Sequence, residues 1–222
     1  MKIDMHVHSH YSPISYKRFL PIEAFHSPER MLIAAKKKGL DGIALTDHDT
    51  MKGIKSAKIA AKKLSMTFIP GCEISTADGH LLAYWLNKVP KPHRSVEETI
   101  DELRKQGAVI AAPHPYSIGH WLSLGKKAFS LKVDAIEVFN SRSFPIHDLM
   151  NLSAAKKTKL PMIGGSDAHA KWEIGGAYTE FPGNPRKNFK KSKPVYRHPT
   201  LPTNLVLTYS LRFLWKIGFW KP

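Results

Sequence analysis

Imidazoles and carboxylates recur in short clusters along this chain: His6-Val7-His8, Thr46-Asp47-His48-Asp49, Glu73, Pro113-His114-Pro115 and Ser166-Asp167-Ala168-His169. Neutral imidazole nitrogens and ionised carboxylate oxygens are the ligands divalent cations take, yet each cluster alone has a plainer reading. His6 and His8, two residues apart in extended chain, share a face and either chelate an ion or form a solvated pair at a strand end. Asp47 and Thr50 fit a helix-capping turn, which leaves His48 to be accounted for. Glu73 lies among apolar neighbours, where an unpaired carboxylate is costly to bury and a pair of bridged cations would remove that cost. His114 stands between two prolines of restricted φ, which either gives a ligand its direction or makes a turn. Asp167 and His169 again offer two ligand types on one face, after Gly164-Gly165, whose missing side chains let backbone approach closely. Cys72 faces away from Glu73 and reads as a small buried hydrophobe. Five such placements, each after a strand-like stretch, jointly predict a polynuclear metal centre with hydrolysis as its reaction.

Bringing residues so remote together requires elements that return the chain repeatedly to one end of a sheet. Lys2 to His6 reads as a first strand. Ser27-Pro28-Glu29 opens a helix as N-cap, first-turn proline and first-turn acid, and Gly39 stops it. Gly42 to Thr46 is a short buried strand, and Thr50 caps a helix through Lys63 with Ile54, Ala57, Ile59, Ala60 and Ala61 on its apolar side. Phe68-Ile69-Pro70 leads to Glu73, and His80 to Tyr84 is a strand after a turn at Asp78-Gly79. The capping box Ser95-Val96-Glu97-Glu98 starts a helix that turns Ile100 and Leu103 inward, followed by a strand over Ala108 to Ala112. Ala135 to Phe139, Pro145 to Lys157 and Pro161 to Gly164 complete a strand, helix, strand series. The alternation predicts an α/β fold, a mostly parallel sheet covered by helices and curled into a barrel.

Charge sets the class of partner. The 222 residues carry 34 Lys and Arg against 18 Asp and Glu, a net +16, and residues 186–222 hold nine basic residues and no acidic one. That balance favours polyanions such as nucleotides, nucleic acid or an anionic lipid surface. Residues 1–183 read as one catalytic domain. Residues 184–202 read as a basic, extended or loosely ordered linker, and Leu205 to Trp220 as an amphipathic helix with Thr208, Arg212 and Lys216 on a narrow polar face. That helix either packs on the barrel, lies in a membrane interface or makes a dimer contact. A single cysteine and an N-terminus that opens directly on a strand point to a cytoplasmic protein. No apolar run reaches spanning length. His26, His93, His120, His147 and His198 have no partner at ligand spacing and read as surface or capping residues. The Lys36-Lys37-Lys38 and Lys62-Lys63 runs read as solvated helix ends.

In their order and composition, His6-Val7-His8, Leu45-Thr46-Asp47-His48-Asp49, Pro70-Gly71-Cys72-Glu73, His114-Pro115 and Ser166-Asp167-Ala168-His169 resemble the PHP family, the polymerase and histidinol phosphatase superfamily of metal-dependent phosphoesterases. The resemblance covers residues 1 to about 182. It implies a distorted seven-stranded βα barrel with two or three divalent ions, zinc, manganese or iron, at the carboxyl ends of the strands. By position, His6, His8, Glu73 and Asp167 are similar to the first ion's ligands. Glu73 bridges to a second ion that His114 helps to hold and His80 completes, and His48 and His169 resemble ligands of a third. Where the family often places an Asp or His shortly after the Ser of its first motif, this chain reads Ser12-Pro13-Ile14, with His10 as a candidate substitute. The implied reaction is phosphoester hydrolysis by metal-bound hydroxide, with His48 or His169 either ligating or relaying a proton. Arg142 is either a phosphate-binding fork or an exposed solubilising residue. The expected substrate is a nucleotide, a small phosphorylated metabolite or a nucleic-acid end. The alternatives are a metal-binding accessory module with little turnover and a peripheral membrane protein held by its tail.

Overall fold

The computed structural model describes residues 1–12, 24–117, 123–200 and a few positions between 206 and 214. Among the described residues of 1–200, nine strands and four α-helices form one sheet and its cover: β1 Lys2–Val7, α1 Pro28–Lys37, β2 Gly42–Leu45, α2 Ile54–Leu64, β3 Thr67–Ser75, β4 His80–Tyr84, α3 Val96–Lys105, β5 Val109–Ala112, β6 Ala135–Asn140, α4 Pro145–Thr158, β7 Met162–Gly165, β8 Ala177–Glu180 and β9 Lys193–Tyr196. The local signals of α1 and α3 act as their chemistry dictates. Ser27 Oγ accepts from Arg30 N–H, and Ser95 and Glu98 exchange both bonds of a capping box. Helix α2 departs from expectation. Thr50 Oγ1 accepts from Lys52 N–H in a turn, and the helix starts at Gly53, where a Cβ would come within 2.9 Å of Asp47 Oδ2. Its apolar side is also narrower than expected, because Ile59 is exposed while Ala57, Ala60 and Ala61 are buried.

The strand order is β7-β6-β5-β4-β3-β2-β1-β8-β9. Strands β1, β2 and β3 run parallel, as do β5, β6 and β7, but β4 is antiparallel to both neighbours and β8 and β9 add an antiparallel edge beside β1. The sheet is therefore mixed, and it has nine strands where seven were expected. Strands β8 and β9 are four residues each, and Pro194 in β9 is tolerated at an edge, where a missing N–H breaks no ladder. The stretch expected as an extended linker thus contributes the last strand.

The two ends of the sheet meet, which makes the barrel nearly closed. Thr179 Oγ1 accepts from Gly164 N–H and donates to Gly164 O, both at 2.9 Å, and Asp4 takes the backbone N–H and the hydroxyl of Ser166 at 2.8 and 2.6 Å. Only glycine permits that approach: a Cβ on Gly165 would lie 2.5 Å from His6 Cβ, and one on Gly164 would lie 2.8 Å from Tyr178 O. Apolar clusters fill the space on both sides of the sheet. Met31, Leu32, Ala35, Ile43, Ala60 and Ala61 join α1 and α2 to it, and Ile74, Leu81, Val96, Ile100, Leu103 and Ile110 join α3. Lys38, expected as a solvated helix end, donates from Nζ to the carbonyls of Trp172 and Ile174 and is half-buried. The expected helix over Leu205 to Trp220 lies largely outside the described residues, as does His120. No helix among the described residues is long and apolar enough to cross a membrane.

Candidate metal centre

The parallel strands deliver their ligands to one rim. His6 lies in β1 and His8 just past it, His48 follows β2, His114 follows β5, and Asp167 and His169 follow β7. Glu73 sits inside β3 and not beyond it, and faces the rim because β3 is long. His80 opens β4, and since β4 runs against β3 its first residue shares the rim with the carboxyl end of β3. Left-handed backbone turns the chain at two of these positions, with φ +32° at His114 and +54° at Asp167. Such strain in non-glycine residues persists only where surrounding structure holds it.

The donor atoms converge. Those of His6, His8, Glu73 and Asp167 lie within 4.8 Å of one another, as do those of His48, Glu73 and His80, and those of His8, His48 and His169. Glu73 is central: its Oε2 is 3.1 Å from His6 Nε2, 3.2 Å from His8 Nε2 and 3.4 Å from His48 Nδ1, and its Oε1 is 2.9 Å from His80 Nδ1 and 3.4 Å from His114 Nε2. Asp167 Oδ1 closes the group at 3.3 Å from His8 Nε2 and 3.6 Å from His6 Nε2. All the expected ligands join one cluster of neighbouring donor atoms. His10 stays apart, exposed, with its ring tilted against that of Tyr11 at 4.3 Å between centroids.

The histidines are held by their far nitrogens. His6 Nδ1 lies 3.0 Å from Glu137 Oε1, His8 Nδ1 is 3.3 Å from Ser12 Oγ, His114 Nδ1 is 3.2 Å from Ser123 Oγ, and His169 Nδ1 is 2.8 Å from Asp167 O. The hydroxyl hydrogens of Ser12 and Ser123 are used by Asp47 and by carbonyl oxygens, so both hydroxyls accept from the imidazoles. This network assigns the proton to Nδ1 and leaves Nε2 directed at the centre, the arrangement that orients imidazole ligands. Glu137 went unread in the sequence although the signal was present: a lone acid inside the apolar strand Ala-Ile-Glu-Val-Phe, the same logic that singled out Glu73. Its Oε2 accepts from His114 N–H and Asn140 Nδ2, so both oxygens are spoken for and its role is to position His6 and His114. Asn140 Nδ2 also reaches Asp167 Oδ2 at 3.4 Å.

These residues fit divalent cations on their own chemistry. With both Nδ1–H groups committed, His6 Nε2 and His8 Nε2 turn lone pairs on each other at 3.1 Å, tenable only with a proton or a cation between them. Glu73 Oε1 and His80 Nδ1 are buried and 2.9 Å apart, yet neither makes a hydrogen bond. Without cations, protons take their place. Burial works against charge on His6, but the carboxylates of Asp167, Glu137 and Glu73 outweigh it and hold its pKa well above the ordinary value. His8, equally opposed by burial, is pushed up to about 9 by its bonds to Asp167 and Glu73. Burial would raise Glu73, but the charges of His80, His48 and His6 hold it well below the usual carboxylate range.

The polar residues around the ligands are structural. Asp47 accepts from Ser9 N–H, Ser9 Oγ and Ser12 Oγ and so fixes the loop after β1, while Asp49 accepts from Ser75 N–H at 2.8 Å. Arg142, the candidate phosphate fork, stands near the rim with Nη1 2.9 Å from Glu173 Oε2, which also accepts from His169 N–H. Cys72 is buried and its thiol is pushed well up by burial. Two histidines expected at surface or capping positions are buried. His26 packs on Phe25 and Trp172 and is drawn down to about 4 by burial and by Lys171 and Arg30, and His147 lies on the buried face of α4.

Comparison with known proteins gives this geometry a lineage. The family model described as "PHP domain" matches residues 4–112, and the one described as "PHP-associated" matches residues 146–191. An uncharacterized protein of Methanocaldococcus jannaschii is 38% identical over 143 residues, which cover 64% of this chain and 82% of that one. A 5'-3' exoribonuclease of Haemophilus influenzae is 39% identical over 75 residues, 34% of this chain and 24% of that protein. Among solved structures, a two-domain protein from Bacteroides vulgatus containing a predicted PHP-like metal-dependent phosphoesterase superposes with a TM-score of 0.71 at 20% identity, covering 89% of this chain and 65% of that one.

Proposed function

The chain belongs to the PHP family, and from that premise we propose that it is a metal-dependent hydrolase of phosphoesters working at a di- or trinuclear site. The observation that carries the reading is Glu73, one buried carboxylate within 3.4 Å of five imidazole nitrogens. Divalent ions held there would lower the pKa of a water and neutralise charge on a phosphate. The residues divide by depth. His6 and His8 are fully buried and serve only to bind, whereas His48, His80 and His169 keep 15, 13 and 9% of their side chains exposed. Substrate reaches the site past those three, so His48 or His169 is placed to hand a proton to the leaving oxygen. Arg142 is close enough to the rim to meet a phosphate, and its bond to Glu173 would hold the planar guanidinium in place for that contact. The +16 charge favours a polyanionic substrate such as a nucleotide or a nucleic-acid end.

The test is metal content together with hydrolysis of an aryl phosphate and an aryl phosphodiester. The reading requires turnover that chelation abolishes, divalent metal restores and Glu73→Ala removes. Bound metal with no hydrolysis of either ester, or of a panel of nucleotides and short oligonucleotides, would favour an accessory module instead.

A further inference from the structure

Helix α4 is built inside-out. Its buried residues are His147, Asp148, Asn151 and Ala155, whereas Phe144 at its N-cap and Ile146, Leu149 and Met150 within it are 67, 60, 59 and 45% exposed. The buried polar groups explain the inner face: Asp148 Oδ1 accepts from Asn140 N–H and Asn151 Oδ1 from Tyr116 N–H, pinning the end of β6 and the segment after β5. Among the described residues nothing comparable explains the outer face. Ile146, Leu149, Met150 and Ser153 follow helical spacing on one side. Beside them Tyr116, Ala154, Lys126 and Lys157 line a shallow groove of about 420 Å³. A contiguous apolar patch of this kind marks an interaction surface more often than chance exposure.

We propose that this face seats the protein on an anionic lipid surface, with Phe144, Ile146, Leu149 and Met150 entering the headgroup region and lysines around them meeting the lipid charge. Lys126 and Lys157 line the groove beside Leu149 and Met150, Lys156 and Lys159 are exposed at the carboxyl end of the same helix, and the one acid of α4, Asp148, is buried. Apolar wedge and cationic collar together are the signature of an interfacial helix. A second copy fits less well, because a two-fold pairing of this face would bring the same lysines of both copies together. A nucleic-acid strand would use the lysines but not the aliphatic side chains, which offer bases no ring to stack on. Phe144 lies four residues beyond the end of β6, at the end of α4 nearer the metal centre.

The experiment is co-sedimentation of the full chain with phosphatidylcholine vesicles with and without phosphatidylserine, beside the double variant Phe144→Ser/Leu149→Ser and the single variant Lys157→Glu. The proposal expects sedimentation with the phosphatidylserine vesicles alone, weakening as salt rises. It expects about tenfold weaker binding for the double variant and about fivefold for Lys157→Glu. Both variants should stay folded and keep hydrolysis of a soluble aryl phosphate, since Phe144, Leu149 and Lys157 are exposed and none is a ligand of the metal centre, although Phe144 packs at 5.7 Å on the edge of the His147 ring. Failure of the full chain to bind anionic vesicles overturns the proposal. So does undiminished binding by the double variant, which would assign the contact to the basic tail. A wild-type dimer that the double variant converts to monomer also overturns it, by making a second copy the occupant.

Discussion

Glu137 and Glu73 are both buried carboxylates in apolar strands, but they do different work, and mutation separates them. Glu73 points its oxygens at five imidazoles, so Glu73→Ala should remove both bound metal and turnover. Glu137 instead receives His6 Nδ1–H, His114 N–H and the Asn140 amide. Glu137→Gln should leave the fold intact and weaken metal affinity by about ten- to a hundredfold, read by competition with a chromophoric chelator; unchanged affinity would remove its positioning role. The histidines also carry a pH signature. His8 in the metal-free protein is raised to about 9, so its contribution to stability is complete below the ordinary imidazole value of about 6.5 and is lost as pH climbs through 9. Metal reverses the sign, because it must displace that proton. Chelated protein should therefore melt lower at pH 9 than at pH 6.5, while the gain in melting temperature on adding metal grows across the same window. At this scale the sequence was most readable where unlike ligand types stood together, as in Asp167-Ala168-His169. Glu137, a lone acid in an apolar strand, offered the same signal as Glu73, but the histidines it positions lie 131 and 23 residues away and no spacing announces that role.

Elements succeeded or failed as sequence signals according to how local their causes are. The starts of α1 and α3 are fixed by a Ser and its neighbours within a single turn, so both were legible. The start of α2 is fixed by the room beside Asp47, a contact with the preceding loop that no cap residue reveals. The antiparallel course of β4 was equally hidden, yet it is what brings His80 to the rim. Strands β8 and β9 are too short and too polar to declare themselves, and they exist because β1 offers a free edge. The barrel's closure makes a prediction of its own. In Gly165→Ala the new methyl would lie 2.5 Å from His6 Cβ and 2.7 Å from His6 N, neither of which can yield without moving a ligand. The variant should lose about 1–3 kcal/mol in denaturant unfolding and bind metal more weakly. Wild-type behaviour in both would show that β1 and β7 are not held as closely as described.

For the whole molecule, the family and the barrel were legible because ligands dispersed over more than 160 residues make sense only if the chain returns to one rim. What was not legible is how the ends join, since the bonds of Asp4 to Ser166 and Gly175 depend on a closure that follows from the complete sheet. Burial pushes Asp4 up to about 6 in spite of those bonds, so the seam that closes the barrel also feels pH. The central claim is that side chains from β1, β3, β4 and the segments after β2, β5 and β7 form one cation site that hydrolyses phosphoesters. Its most direct test is the metal content per chain of the purified protein, measured by mass spectrometry on wild type and Glu73→Ala, with hydrolysis of an aryl phosphate followed on the same samples. The account predicts about two or three divalent ions in the wild type, fewer in the variant, and turnover that falls with them. Wild-type protein that holds no divalent ion after incubation with zinc, manganese or iron, or a Glu73→Ala variant that retains full content and rate, would contradict it.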